Sequence, residues 1–421
     1  MAENDWLPEP LREQLKVIGE VDILVGIPSF NSAQTIGHVV RAVQAGFAKY
    51  FPRERTLLIN SDGGSTDGTP EVVRSASIND YHTILATHPL RPVHKIITPY
   101  HGIPGKGSAL RLVFGVAREL KAKACAVVDS DLRSITPEWI DLLISPVYRE
   151  GFDFVAPLYH RHKYDGTITN SIVYPLTRAL YGKRVRQPIG GDFGFSGRLA
   201  EHYLAHDVWH TDVARFGIDI WMTTMAITGG FKICQSFLGA KIHAAKDPGA
   251  DLSAMLMQVV SSVFSLMEAH EEHWKRVRGS QPVPTFGFEY TVGLEPIRVN
   301  VDRMVQIFRT GLRELGPLWE TILTPETFRE IKRIGHTDEN SFRYPSSLWV
   351  RTIYDYAVAY HKALINREHL LKSLMPLYLG RIASFVLETP EADADEVERL
   401  LEDLCQEYER MKPYLIQQWE S

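Results

Sequence analysis

Only three cysteines occur in 421 residues, Cys125, Cys234 and Cys405, and their scatter excludes a disulfide framework or a cysteine-built metal site. Cys125 and Cys234 sit inside apolar runs and read as plain core residues. No stretch approaches the roughly 18 consecutive apolar residues that would span a bilayer. The segment Met1–Glu20 is polar, with Asp and Glu where a signal peptide needs basic and then apolar residues. Positive charge is not in excess either. A net charge of −5 argues against a nucleic-acid surface and against a polybasic membrane patch. Internal repeats and low-complexity segments are also missing. These absences predict a soluble, cytoplasmic protein with neither nucleic-acid nor membrane partners.

What is present is an alternation of strand and helix patterns. Val21–Ile27, Thr56–Asn60, Lys95–Thr98, Ala124–Asp129 and Phe152–Leu158 read as strands. Helical patterns at Thr35–Ala48, Thr69–Ser75, Lys106–Lys121 and Pro137–Tyr148 lie between them. Such alternation predicts an α/β fold with a doubly wound, mostly parallel sheet. Residues 160–250 are less regular and rich in glycine. Beyond Asp251 the patterns turn helical, at Ala254–His270, Asn300–Leu315, Leu348–Leu364 and Glu396–Met411, the last with Asp393 or Asp395 as N-cap. At this length one large domain with an appended lobe is expected. The predicted division is an arm at 1–20, a catalytic domain at 21–250 with halves 21–135 and 136–250, and a mainly helical C-terminal domain at 251–421. Gly279 to Pro284 is the candidate linker.

The segment Val127-Val128-Asp129-Ser130-Asp131 carries the sharpest chemical signal. Two carboxylates, one residue apart, follow a short apolar run. On a strand their side chains would share a face at the C-terminal end, where open α/β sheets bind ligands. Clustered carboxylates repel unless a cation joins them, and Mg²⁺ or Mn²⁺ favours oxygen ligands together with substrate phosphates. An isolated Asp-x-Asp is often no more than a solvated turn.

Three further motifs set it in context. The first strand runs into Gly26-Ile27-Pro28-Ser29-Phe30-Asn31, and the second into Asn60-Ser61-Asp62-Gly63-Gly64-Ser65-Thr66-Asp67. Both are turn-rich and place polar groups beside bare backbone, a crevice suited to a nucleotide with Asp62 toward base or ribose. The third, Gly102 to Ala109, is not a Walker loop, because Tyr100 and Gly107 occupy positions that need glycine and Ser/Thr. A glycine-rich loop opening a helix can still bind an anion, with Lys106 as a point charge.

In this order the pieces resemble the nucleotide-sugar half of the GT-A glycosyltransferases. The Gln-x-x-Arg-Trp pentapeptide of the large inverting group is missing. In its place stand Gln187-Pro188-Ile189-Gly190-Gly191-Asp192, then Asp219, then Ala240-Lys241-Ile242-His243. That succession resembles the retaining mannosylglycerate synthases and the glucosyl- and mannosyl-3-phosphoglycerate synthases. The resemblance implies donor contacts from Pro28, Ser29, Asn31, Asp62, Lys106 and Ser130. It implies a divalent metal, Mg²⁺ or Mn²⁺, on Asp129, Asp131 and His243. The acceptor falls to Gly190, Gly191, Asp192 and Lys246, with the acceptor's carboxylate on N–H groups of the Gly190-Gly191 turn. Asp219 is the catalytic-site candidate.

The expected activity is transfer of glucose or mannose from a nucleoside-diphosphate sugar to D-glycerate or 3-phosphoglycerate, giving a compatible solute. Few cations lie near His243, which favours the unphosphorylated acid; Arg161, Lys163 and Arg184 are the other candidates for holding a phosphate. The rival reading is an inverting transferase acting on a lipid-phosphate or polysaccharide. Self-association is left open.

Overall fold

The computed structural model describes residues 7–76, 94–99, 105–242, 252–289, 297, 299–338 and 341–421. Its main sheet contains β1 (Ile23–Ser29), β2 (Thr56–Asp62), β3 (His94–Pro99), β4 (Ala124–Val127), β5 (Phe154–His160), β6 (Phe193–Ser196), β7 (Ile233–Ala240) and β8 (Thr285–Phe286), in the order β8-β7-β5-β6-β4-β1-β2-β3. All pairings are parallel except those of β6, which runs antiparallel to both β4 and β5.

A strand buried on both faces must be almost wholly apolar, and β1 is: Ile23, Leu24, Val25 and Ile27 are all fully buried. Each contributes about 1.5–3 kcal/mol by leaving water. Gly26 is required for a different reason. A Cβ there would lie 2.6 Å from a methyl of Val113, so only glycine lets the Lys106–Glu119 helix seat on the sheet. On another side Val39, Phe47, Trp139 and Ile140, from the Ile36–Tyr50 and Pro137–Tyr148 helices, join β1, β2 and β4 in one apolar core.

Two departures from expectation bear on the site. First, β4 ends at Val127, so Asp129 and Asp131 lie in the turn that follows and the alternation of strand faces does not orient them. Second, β6 was not anticipated. It is four residues long and contains Gly194, whose Cβ would meet the Leu143 carbonyl at 2.0 Å, so close approach to a helix sets its composition. Its return antiparallel to β4 delivers the Gly190–Asp192 turn to the β4 end of the sheet.

The chain forms two compact units. One comprises Met1–His160, Val185–Ala245 and Val283–Gly293; the other comprises Arg161–Arg184, Lys246–Pro282 and Leu294–Ser421. The second unit is helical, with its longest elements at Val301–Ile322, Arg367–Glu388 and Ala394–Glu420. Asn300 caps the first by accepting from Arg303 N at 3.0 Å, and Asp393 caps the last by accepting from Glu396 N at 2.8 Å. Lys183–Arg184 pairs in parallel with Gln281–Pro282, inside the stretch expected to be a linker. The Arg367–Glu388 helix escaped the sequence reading. By length and composition alone it could cross a membrane, but 67% of its apolar window is buried within the protein, as in a core helix.

Candidate functional site

Backbone geometry alone brings the β1 and β2 loops together, since Pro28 pairs with Ser61 and Ser29 with Asp62 in register. Asp62 is buried, and its partners all belong to these two loops. Oδ1 accepts from Ser29 Oγ at 2.9 Å and Ser65 Oγ at 2.7 Å, while Oδ2 accepts from Gly64 N and Ser65 N at 2.9 and 2.8 Å. Asn31, with φ +48°, accepts from Thr66 N and donates its own N–H to Ser65 Oγ. Ser130 joins the same surface through Ser32 Oγ at 2.9 Å and a carbonyl that accepts from Thr35. The expected donor residues Pro28, Ser29, Asn31, Asp62 and Ser130 are therefore assembled, and Asp62 acts there as the organiser of a turn.

Lys106 is placed differently from expectation. It opens its helix but does not face solvent: its ammonium donates to Asp129 Oδ1 at 2.9 Å, to the Gly191 carbonyl at 3.1 Å and to Asp219 Oδ2 at 3.4 Å. Burial opposes its charge, yet Asp129 and Asp219 outweigh burial and hold its pKa above the usual lysine value. Gly105 and Gly107 permit this seat. A Cβ on either would strike the backbone of residues 213–215, at 2.5 Å and 1.9 Å respectively.

The other oxygen of Asp129 belongs to a second buried lysine. Lys241 Nζ lies 2.7 Å from Asp129 Oδ2, 2.8 Å from Asp192 Oδ2 and 2.9 Å from the Gly190 carbonyl. Asp192 also accepts from Asp129 N at 2.8 Å and from the Tyr159 hydroxyl. Burial works against the Asp129 carboxylate, but the two ammoniums prevail and hold its pKa far below the ordinary value. Asp192 and Asp219 go the other way: burial outweighs the lysine nearest each, and both titrate above the usual range.

Of the expected acceptor residues, Gly190 and Gly191 lie in this cluster, but through carbonyls that accept from lysines. Gly191 has φ +91°, and a Cβ on it would stand 2.3 Å from Asp129 Oδ2. Asp192 is fully occupied in positioning Asp129. Asp219, in the first turn of the Ile218–Thr228 helix, retains an unmet atom. Its buried Oδ1 lies 3.2 Å from Lys106 Nζ yet outside hydrogen-bonding geometry, and has no hydrogen-bond partner among the described residues. Lys241 and Tyr159 were not singled out from the sequence. The available signal for Lys241 was a lysine directly after Ile233–Ala240, a strand buried along its whole length.

Asp131 is half-buried and makes no hydrogen bond or ion pair with any described residue. His243 and Lys246 lie outside the described residues. Ile242, the neighbour of His243, accepts at its carbonyl from Arg133 N at 2.9 Å and donates its N–H to Ser134 Oγ at 3.0 Å. The chain entering His243 is thus anchored two and three residues past Asp131. Among the described residues no three His, Cys, Asp or Glu side chains are grouped to hold a metal ion. Each oxygen of Asp129 already accepts from a lysine, Oδ1 from Lys106 and Oδ2 from Lys241, so an ion bound there would share them with those ammoniums.

Residues 93–265 match the family model described as mannosylglycerate synthase, GT domain. No curated protein matches the chain. Among solved structures, glucosyl-3-phosphoglycerate synthase from Mycobacterium tuberculosis with Mn²⁺, UDP and glucosyl-3-phosphoglycerate is 22% identical at a TM-score of 0.45, over 62% of this chain and 85% of that one. The same enzyme with Mg²⁺ and UDP gives 21% and 0.44, over 62% and 83%. Over residues 93–265 the chain resembles the GT-A mannosylglycerate synthases, and that stretch contains every charged residue of the cluster.

Proposed function

We propose that this chain is a retaining hexosyltransferase that moves glucose or mannose from a nucleoside-diphosphate sugar to D-glycerate. The observation that carries the reading is the buried Lys106–Asp129–Lys241 arrangement at the carboxyl edge of β4, inside the stretch that matches the mannosylglycerate synthase family model. Paired loops at β1 and β2 would take the nucleotide. The orphaned Asp219 Oδ1 suits a hydroxyl of the sugar or acceptor, since a buried acceptor left unmet costs about 1–3 kcal/mol.

A divalent cation belongs to the proposal. Asp131 has the hard oxygen donors Mg²⁺ or Mn²⁺ requires and no competing partner among the described residues, and the anchoring of Ile242 supports His243 as its companion. When bound, the ion would supply charge stabilisation to the departing diphosphate. Lys106 and Lys241 would add fixed positive charge with no reorganisation during the reaction.

The acceptor preference is supported by where the expected phosphate-binding cations go. Lys163 gives its donors to the carbonyls of Thr389, Pro390 and Ala392, at 2.6, 2.9 and 3.0 Å. Arg184 Nε donates to Ser280 Oγ, and Arg161 pairs with Asp165 at 3.6 Å. A buried phosphate without matching donors is strongly disfavoured.

The test is a donor and acceptor panel with Mg²⁺ or Mn²⁺, followed by NMR of the product's anomeric proton. We expect an α-linked product from an α-linked donor, and higher kcat/KM for D-glycerate than for 3-phosphoglycerate. Asp131→Ala should lower turnover by about a hundredfold or more with an unchanged melting temperature. Full activity in excess chelator removes the metal, a β-linked product removes retention, and no transfer to either acid removes the acceptor class.

A further inference from the structure

Within the second unit, the Arg367–Glu388 and Ala394–Glu420 helices border a cavity of about 170 Å³. Much of its lining is apolar, with Ile382 and Phe385 from the first helix and Leu400 and Leu404 from the second. The corner between these helices is pinned, because Lys163 donates to the carbonyls of Thr389, Pro390 and Ala392. The space is therefore built into the fold. An apolar cavity of about 150 Å³ is already large enough to hold benzene.

A buried cation belongs to the same lining. Arg381 donates from Nη1 to the Tyr344 carbonyl at 3.1 Å and from Nη2 to Ser346 Oγ at 3.5 Å, both neutral acceptors. The Glu388 carboxylate stands 3.7 Å from Nη1 and accepts instead from Ser384 Oγ. Burial lowers the pKa of Arg381 and Glu388 does not make up the difference, yet a guanidinium keeps its charge. Ser346, also in the lining, opens the Ser346–His361 helix, which has no side-chain N-cap. A fork-shaped cation and the positive end of a helix thus favour an anion at one place. Glu388 and Asp403, the acidic residues of the lining, are exposed, and water weakens their repulsion of it.

We propose that this cavity binds a small monocarboxylate with an apolar tail, of about eight non-hydrogen atoms. Its carboxylate would meet Arg381 and Ser346, and its tail would lie among Ile382, Phe385, Leu400 and Leu404. D-glycerate carries a hydroxyl on each remaining carbon and has no tail to bury, so the ligand is not the acceptor of the proposed transfer.

Hexanoate is the probe, titrated into the full chain by calorimetry, with 1-hexanol and hexylamine as tail-matched controls. We expect saturable hexanoate binding, about tenfold or more tighter than either control, the scale of a hydrogen bond to a charged group. Arg381→Gln should bring hexanoate down to the level of hexanol. Leu400→Trp, at a half-buried position, should block binding by filling the cavity. Saturating D-glycerate should leave hexanoate binding unchanged. Melting curves show which variant folds, and either folded variant decides the location. No saturable binding overturns the inference, as does a control that binds as tightly as hexanoate, competition by D-glycerate, or unchanged binding in a folded variant. None of these outcomes removes the transferase reading, which rests on the Lys106–Asp129–Lys241 arrangement in the other unit.

Discussion

Two aspartates sit at or just past the carboxyl ends of parallel strands in one sheet, yet their surroundings differ in kind. Asp62 is satisfied by neutral donors, two backbone N–H groups and two serine hydroxyls, all from the loops that it shapes. Asp129 is satisfied by two ammoniums whose charges are shared with Asp192 and Asp219. Neutral hydrogen bonds hold a turn in one shape. A charge cluster depends on every member, so removing one leaves the rest uncompensated, and a charged ligand can exchange with any of them.

The sharpest way to break this contrast is Lys241→Met. It strands Asp129 and Asp192 in a buried site, and the expected loss is about 3–5 kcal/mol in chemical denaturation. Adding Asp192→Asn should restore part of it, because the two sites are coupled. Next comes Gly191→Ala, which drives a methyl toward Asp129 Oδ2 at a backbone conformation that alanine resists. We expect about a hundredfold or greater loss of kcat/KM, with strain of about 1–3 kcal/mol in the melt.

Lys412, in the helical unit, sharpens the comparison from the other side. It too is a buried lysine, but its ammonium meets carbonyls, of Ala179 at 2.8 Å and Val277 at 2.9 Å, and no carboxylate within hydrogen-bonding distance among the described residues. Burial, aided by Arg278, lowers its pKa to about 8. Between about pH 8 and 10.5 the unfolded chain then holds a proton that the folded chain has lost, so folding stability rises with pH across that window. The rise is at most roughly 3 kcal/mol, and Lys412→Met should abolish it in pH-dependent denaturation. The smallest effect belongs to Asp62→Ala, expected to cost about 1–3 kcal/mol through unmet N–H groups and to leave the Asp129 cluster intact. A loss as large as that of Lys241→Met would erase the distinction between the two aspartates.

The sequence made the strand–helix alternation legible because β1, β2 and β4 are nearly continuous apolar runs between helical periods. It also pointed to Asp129, the Gly190-Gly191 turn and Asp219 as neighbours, through a resemblance that has no local physical signature. What it could not convey was direction. Lys106 reads as an anion-binding point charge at the start of its helix, and only the tertiary approach of Asp129, Asp219 and Gly191 turns it onto carboxylates instead. Lys241 was hidden for a similar reason: it looks like a strand-end charge until β6, itself too short to recognise, returns Asp192 beside it.

Counting formal charges around β4 gives a last consequence. Among these described side chains, with every carboxyl ionised, Asp129, Asp131, Asp192 and Asp219 set four negatives against the two positives of Lys106 and Lys241. A nucleoside diphosphate approaching by itself would be repelled by such a site, whereas a divalent ion brings it to neutrality. Ion and nucleotide would then bind with mutual reinforcement: each raises the other's affinity by one and the same factor, as thermodynamic reciprocity demands. On the proposed function, a bare diphosphate would meet net repulsion at this cluster, and a bound cation would be what admits it.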